Sequence, residues 1–98
     1  MWCWGYNNYG QVGDGTATER SYPVPVPGLS GVVEIIGADN HTCARLSSGA
    51  VQCWGYNGNG QLGNGTTSTS YTPVAVMGIS TAVQVAASEN HTCARLAD

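Results

Sequence analysis

The sequence predicts an all-β protein built from stacked repeat units, and three observations carry that prediction. The chain repeats itself without a gap at an offset of 50 residues: Cys3-Trp4-Gly5-Tyr6-Asn7 returns as Cys53-Trp54-Gly55-Tyr56-Asn57, and Asn40-His41-Thr42-Cys43-Ala44-Arg45-Leu46 returns as Asn90-His91-Thr92-Cys93-Ala94-Arg95-Leu96. A period of this size marks architectures whose units bury their cores only against neighbours. Each period also holds four short segments of strand character and no capped helical stripe. Finally, 14 glycines and no phenylalanine suit short strands joined by tight turns.

The elements follow in chain order. Met1 to Trp4 is the copy of the alternating segment Ala50 to Trp54. Asn8 to Gly15 and Gly58 to Gly65 are too glycine-rich for regular structure and read as compact loops in which glycine supplies positive φ. Pro23 to Val26 and Pro73 to Val76 are short and contain proline, which suits a sheet edge. Val32 to Ile36 and Ala82 to Ala86 are short apolar runs, the first rich in β-branched residues. His41 to Leu46 and His91 to Leu96 alternate in polarity.

Composition excludes several classes. A chain of 98 residues strains to hold two compact domains. Three Lys and Arg against six Asp and Glu give a formal charge of −3, whereas a nucleic-acid binder needs clustered cations. Hydrophobic residues make up 42%, so the chain is not compositionally disordered. No apolar run approaches the roughly 20 residues of a membrane span. No basic-then-apolar leader opens the chain, and Met1 before Trp2-Cys3-Trp4 has the look of a start codon placed ahead of a mature segment.

Cys53-Trp54-Gly55-Tyr56-Asn57, then Gly60-Gln61-Leu62-Gly63-Asn64-Gly65-Thr66, then Thr72-Pro73-Val74 and Gly78, then Asn90-His91-Thr92-Cys93-Ala94, resembles the repeat of the regulator of chromosome condensation family. The resemblance covers essentially the whole chain, twice. It implies a β-propeller, in this family usually of seven four-stranded blades, with one blade's strands per period. Named from the channel outward, the strands are then A, Val32 to Ile36; B, His41 to Leu46; C, Ala50 to Trp54; and D, Pro73 to Val76. Residues 1–98 divide into a half blade at 1–31, a full blade at 32–81 and a half blade at 82–98. The chain is two residues short of two periods, and the missing pair corresponds to Gly49 and Ala50, inside the B–C turn.

Half blades leave bare strand edges, which are templates for pairing. Head-to-tail association of copies repairs them, and such contacts close into a ring where the rotation allows. Two blades per chain give an even total, so the expected partner is the chain itself, as a homotetramer of eight blades or a homotrimer of six.

Four cysteines allow three pairings. A three-residue hairpin loop Ser47-Ser48-Gly49 sets Leu46 opposite Ala50, and therefore Cys43 opposite Cys53, within disulfide reach. The same register carried one period on sets Cys93 opposite Cys3 of a next copy. The expectation is an intrachain Cys43–Cys53 bond and an interchain Cys93–Cys3 bond, and paired cysteines suggest an extracellular or periplasmic origin. Four reduced, buried thiols are the bland alternative. A zinc site on His41 and Cys43 is a third, but the sequence offers no Cys-x-x-Cys to complete it.

His41 and His91 are the only side chains titrating near neutrality, and both read as structural strand-start residues. Trp4, Trp54, Tyr6 and Tyr56 are expected to fill the core between units. Asp39 and Glu89 are repeat-mates and would stand once per blade near one rim, facing a cationic or basic partner. Tyr9, Tyr22 and Tyr71 could form an aromatic partner-facing patch. Glu34 is placed on strand A toward the channel, Glu19 and Arg20 are expected to pair at the surface, and Asp14 and Asp98 complete the carboxylates. Neither the Gly-Asp-Gly loop nor the Gly-Asn-Gly loop matches a phosphate or calcium loop, so no cofactor and no metal are expected.

The functional expectation is a structural or interaction module without catalysis: a self-assembling propeller fragment, natural or engineered, closing into a ring. The alternative is a propeller face that binds a partner protein. The family includes an exchange factor for a small nuclear GTPase and a secreted β-lactamase inhibitor, and neither activity carries over residue by residue. An enzyme would need distinct residues in distinct roles, which a repeated unit does not supply.

Overall fold

In the computed structural model the described residues are 1–97, and every regular element among them is a strand. They are β1 (Trp2–Gly5), β2 (Arg20–Pro25), β3 (Val32–Gly37), β4 (His41–Leu46), β5 (Val51–Gly55), β6 (Ser70–Ala75), β7 (Ala82–Ala87) and β8 (Thr92–Leu96). They form three antiparallel sheets: a two-stranded β1-β2, a four-stranded β3-β4-β5-β6 and a two-stranded β7-β8. Asp98, counted among the carboxylates, lies outside the described residues.

The central hairpin fixes the register. Leu46 N–H donates to the Ala50 carbonyl at 2.9 Å, and His41↔Gly55, Cys43↔Cys53 and Arg45↔Val51 stand opposite one another. Strands β2 and β6 begin earlier than the Pro-Val segments that announced them. Pairing runs on past a bulge to Gly5↔Arg20 and Gly55↔Ser70, so Tyr22 and Tyr71 sit within outer strands rather than in loops. The bulge depends on glycine: Gly55 has φ +110° and a Cβ there would lie 2.6 Å from the Asn40 carbonyl, which accepts the Tyr56 N–H at 2.8 Å.

Two apolar cores hold the sheets together. Between β1-β2 and the central sheet lie Val26, Ala44 and Trp54, flanked by Met1, Cys3, Leu29 and Val32. Between the central sheet and β7-β8 lie Cys43, Val51, Cys53, Leu62, Ala82 and Val85. Neither core belongs to one sheet, because each repeat unit buries its apolar face only against the next.

Two buried asparagines close the long loops. Asn7 accepts the Val12 N–H at 2.9 Å and donates to the Thr16 and Thr18 carbonyls at 3.0 and 2.9 Å. Asn57 repeats this with Leu62 N–H at 2.9 Å and the Thr66 and Ser68 carbonyls at 2.9 and 3.0 Å. Arg20 does not pair with Glu19. Its Nε reaches Asp14 at 2.7 Å, a carboxylate already fixed by the Thr16 N–H and hydroxyl at 3.0 and 2.7 Å. Adjacent residues at a strand start point to opposite sides, so Glu19 is the wrong neighbour. Burial acts to raise the Asp14 pKa, but the Thr16 and Arg20 bonds outweigh it and hold the carboxyl below its ordinary range.

Candidate functional site

The surface that stands out is the pair of exposed flanks, one at β1 and one at β8, together with the joint that links successive repeats. That joint is built around Gln11. Its backbone carbonyl accepts both the Trp54 indole N–H and the Thr42 hydroxyl, each at 2.8 Å. Two lone pairs make this shared acceptance complete. The indole is wholly buried and rests on Gly13, where a Cβ would come within 2.6 Å of Nε1. A second repeat-to-repeat link is His41 Nε2, 2.8 Å from the Thr92 hydroxyl oxygen. That hydroxyl spends its only proton on the Gln61 carbonyl at 2.8 Å, so His41 donates through Nε2, and the neutral ring is the Nε2–H tautomer. Its Nδ1 is buried without a partner among the described residues.

Burial, and then the charge of His91, push the His41 pKa down. The unfolded chain therefore binds a proton, near the ordinary pKa of about 6.5, that the folded chain resists. Stability contributed by neutral His41 is present above that pH and is lost as pH falls below it, down to the depressed folded pKa. Urea melts between pH 7.5 and pH 5 check this: the wild-type midpoint falls with pH, and His41→Gln, which cannot titrate, shows a flatter profile over that interval. Equal slopes for both proteins would refute the assignment.

The remaining candidates separate by position. Cys43 and Cys53 form a disulfide across β4 and β5. Cys3 and Cys93 are free, the first half-buried and the second exposed. Burial pushes the Cys3 thiol up, against the N-terminal ammonium. Trp54 and His41 are buried, but Trp4, 61% exposed, and His91, also exposed, are not in a core. The reason is positional: Trp54 and His41 lie between two sheets, whereas their repeat-mates lie on the flanks. Tyr6, expected in a core, is likewise exposed, while Tyr56 is half-buried and packs against Tyr9 with ring centroids 4.8 Å apart. Tyr22 and Tyr71 are exposed on β2 and β6. Asp39 and Glu89 are both exposed in the turns after β3 and β7. Glu34 is tied to Arg45 at 2.8 Å across the β3–β4 pair. Among the described residues no three His, Cys, Asp or Glu side chains gather.

Sequence reasoning did not single out Asn7, Asn57, Gln11 or Gln61. The available signal was their identity in both copies, which they share with the loop glycines around them.

A four-stranded antiparallel sheet in sequential order, flanking sheets that share cores with it, and a tryptophan packed from one repeat onto the other define a segment of a β-propeller. The model of the regulator of chromosome condensation (RCC1) repeat matches residues 1–45 and 48–95. The chain belongs to the RCC1 repeat family. Its fold is similar to that of human WBSCR16, with 24% identity, a TM-score of 0.81 and coverage of 94% of this chain and 25% of that one. It is also similar to Prp20p from Saccharomyces cerevisiae, in a structure whose description cites binding to Gsp1p and histones, with 27% identity, a TM-score of 0.80 and coverage of 95% and 25%. Yeast RCC1 (Prp20) bound to Kap60 gives 26% identity, a TM-score of 0.80 and the same coverage of 95% and 25%. The chain thus spans about a quarter of each of these proteins. No curated protein matches it.

Proposed function

We propose that this chain is a non-catalytic interaction module that associates head to tail with further copies of itself, β8 of one copy pairing with β1 of the next. The observation that carries the reading is the likeness of the two free edges to a pair already made inside the chain. β8 repeats β4, and β1 repeats β5; β4 and β5 pair along their length. Carried one period on, their register sets Cys93 opposite Cys3 of the next copy and Thr92 opposite its Trp4. Edge pairing supplies hydrogen bonds to backbone groups that otherwise face solvent, and a disulfide at each joint makes the contact covalent. Closure gives a homotrimer of six blades or a homotetramer of eight.

The test is native mass spectrometry of the 98-residue chain at micromolar concentration, with and without reductant. Oligomers of three or four chains are expected. On a non-reducing denaturing gel, covalent multimers should disappear in Cys3→Ser and persist in a Cys43→Ser/Cys53→Ser double variant. A species of single-chain mass under non-reducing native conditions overturns the proposal.

A second reading, a face that receives a partner protein, is supported by yeast Prp20, which is described with binding properties to Gsp1p and histones and in a complex with Kap60. On this chain the exposed Asp39, Glu89, Tyr9, Tyr22 and Tyr71 are the side chains such a partner would meet. A stoichiometric partner captured by the single-chain species, and not by oligomers, would favour it.

A further inference from the structure

The two repeat-to-repeat joints in the chain share one acceptor arrangement, but only the first holds an indole. At the first, the Gln11 carbonyl accepts a threonine hydroxyl and an indole N–H, and the indole fills the space between Gly13, Val26 and Ala44. At the second, the Gln61 carbonyl accepts the Thr92 hydroxyl at 2.8 Å, and the matching residues Leu62, Gly63, Val76 and Ala94 line an open cleft of about 270 Å³. An apolar cavity of about 150 Å³ takes a benzene ring, so this cleft has room for the larger bicycle. Meanwhile two indoles of the chain lack a seat, Trp2 and Trp4, each 61% exposed; Trp2 is the repeat-mate of Gln52, whereas Trp4 is the repeat-mate of the wholly buried Trp54.

Resting on the head-to-tail reading, we infer that the cleft between the central sheet and β7-β8 is a tryptophan seat whose occupant is Trp4 of a second copy. The chain itself supplies the template, because Trp54 fills the corresponding seat one repeat earlier. The chemistry matches at each point. The Gln61 carbonyl has a lone pair to spare for an indole N–H. Gly63, with φ +69°, leaves the floor open to a flat ring as Gly13 does beneath Trp54. Leu62 is fully buried at the side, and Ala94 is small where a larger residue would intrude. The edge pairing that sets Thr92 opposite Trp4 of the next copy brings that ring to the same place, relative to the cleft, that Trp54 holds beside Thr42. Tryptophan anchors of this kind dominate interface energies.

The test separates this seat from edge pairing as such. Trp4→Ala removes the occupant and Ala94→Phe fills the seat. Both positions are exposed in the single chain, so both variants should fold, which circular dichroism checks. Assembly is followed by analytical ultracentrifugation in reductant, so that the Cys93–Cys3 bond does not mask a weakened joint. Each variant is expected to raise the dissociation constant of the joint at least about 30-fold. The double variant should be little worse than either alone, since both remove one contact. If the wild type assembles and each variant stays within about threefold of it, the seat is refuted while head-to-tail pairing stands. If the reduced wild type does not assemble at any concentration, seat and pairing fall together.

Discussion

Trp54→Ala is expected to lower the unfolding free energy by about 3–5 kcal/mol, the cost of deleting a large aromatic side chain from a packed interior. The indole is wholly buried, and it reaches from β5 of the central sheet to Gln11 and Gly13 in the loop between β1 and β2. Removing it leaves a cavity over Gly13, which cannot collapse easily because its φ of +83° is set by the loop. It also takes one of two donors from the Gln11 carbonyl. Urea unfolding monitored by far-ultraviolet circular dichroism gives the number, and a fall of under about 1 kcal/mol would place Trp54 outside the stabilising core. Trp54→Phe should recover part of the loss, through packing, and leave the part due to the N–H bond.

The second large effect is expected at Asn57. Its carboxamide accepts from the Leu62 N–H and donates to the Thr66 and Ser68 carbonyls, so Asn57→Ala leaves three backbone groups without their partner. Leaving a buried donor or acceptor unmet costs about 1–3 kcal/mol each, and part is recovered where water enters. The net expectation is a loss of about 3 kcal/mol, with the loop at 57–68 becoming accessible to protease before global unfolding. Asn57→Leu, of the same branched shape, should be no milder, because the orphaned groups are the same. A leucine variant close to wild type would show that the loop is held by packing instead of by the amide. Asn7→Ala provides the parallel measurement in the first loop.

Much of the fold was legible because the repeat is written without gaps. Strand positions followed from the alternation of His41 to Leu46 and the apolar run from Val32, and the hairpin register followed from the shortness of Ser47-Ser48-Gly49. The starts of β2 and β6 were not legible. Arg20 and Ser70 pair with glycines across a bulge, and a bulge changes register without changing composition. The burial of Trp4 and Trp54 could not be separated either. The two sit in identical pentapeptides, and burial is a property of the neighbouring sheet. The Arg20 partner was misread for a related reason, since closeness along the chain at Glu19 does not bring side chains together, while closure of the loop by Asn7 does bring Asp14 near. The loop asparagines themselves look like ordinary turn residues until the carbonyls that they gather are seen in space.

The placement of Gly13 beneath Trp54 has a consequence for how such chains can grow. Ring and floor lie in different repeats, yet each repeat encodes one of each. Copying a whole period therefore inserts a segment already matched to whatever stands on either side, with no compensating change elsewhere. Deleting part of a loop, or enlarging a single floor glycine, damages a contact owned by the adjoining segment. Lengthening by whole-segment duplication is thus the permissive evolutionary route for this architecture, and piecemeal insertion or loss is the restricted one.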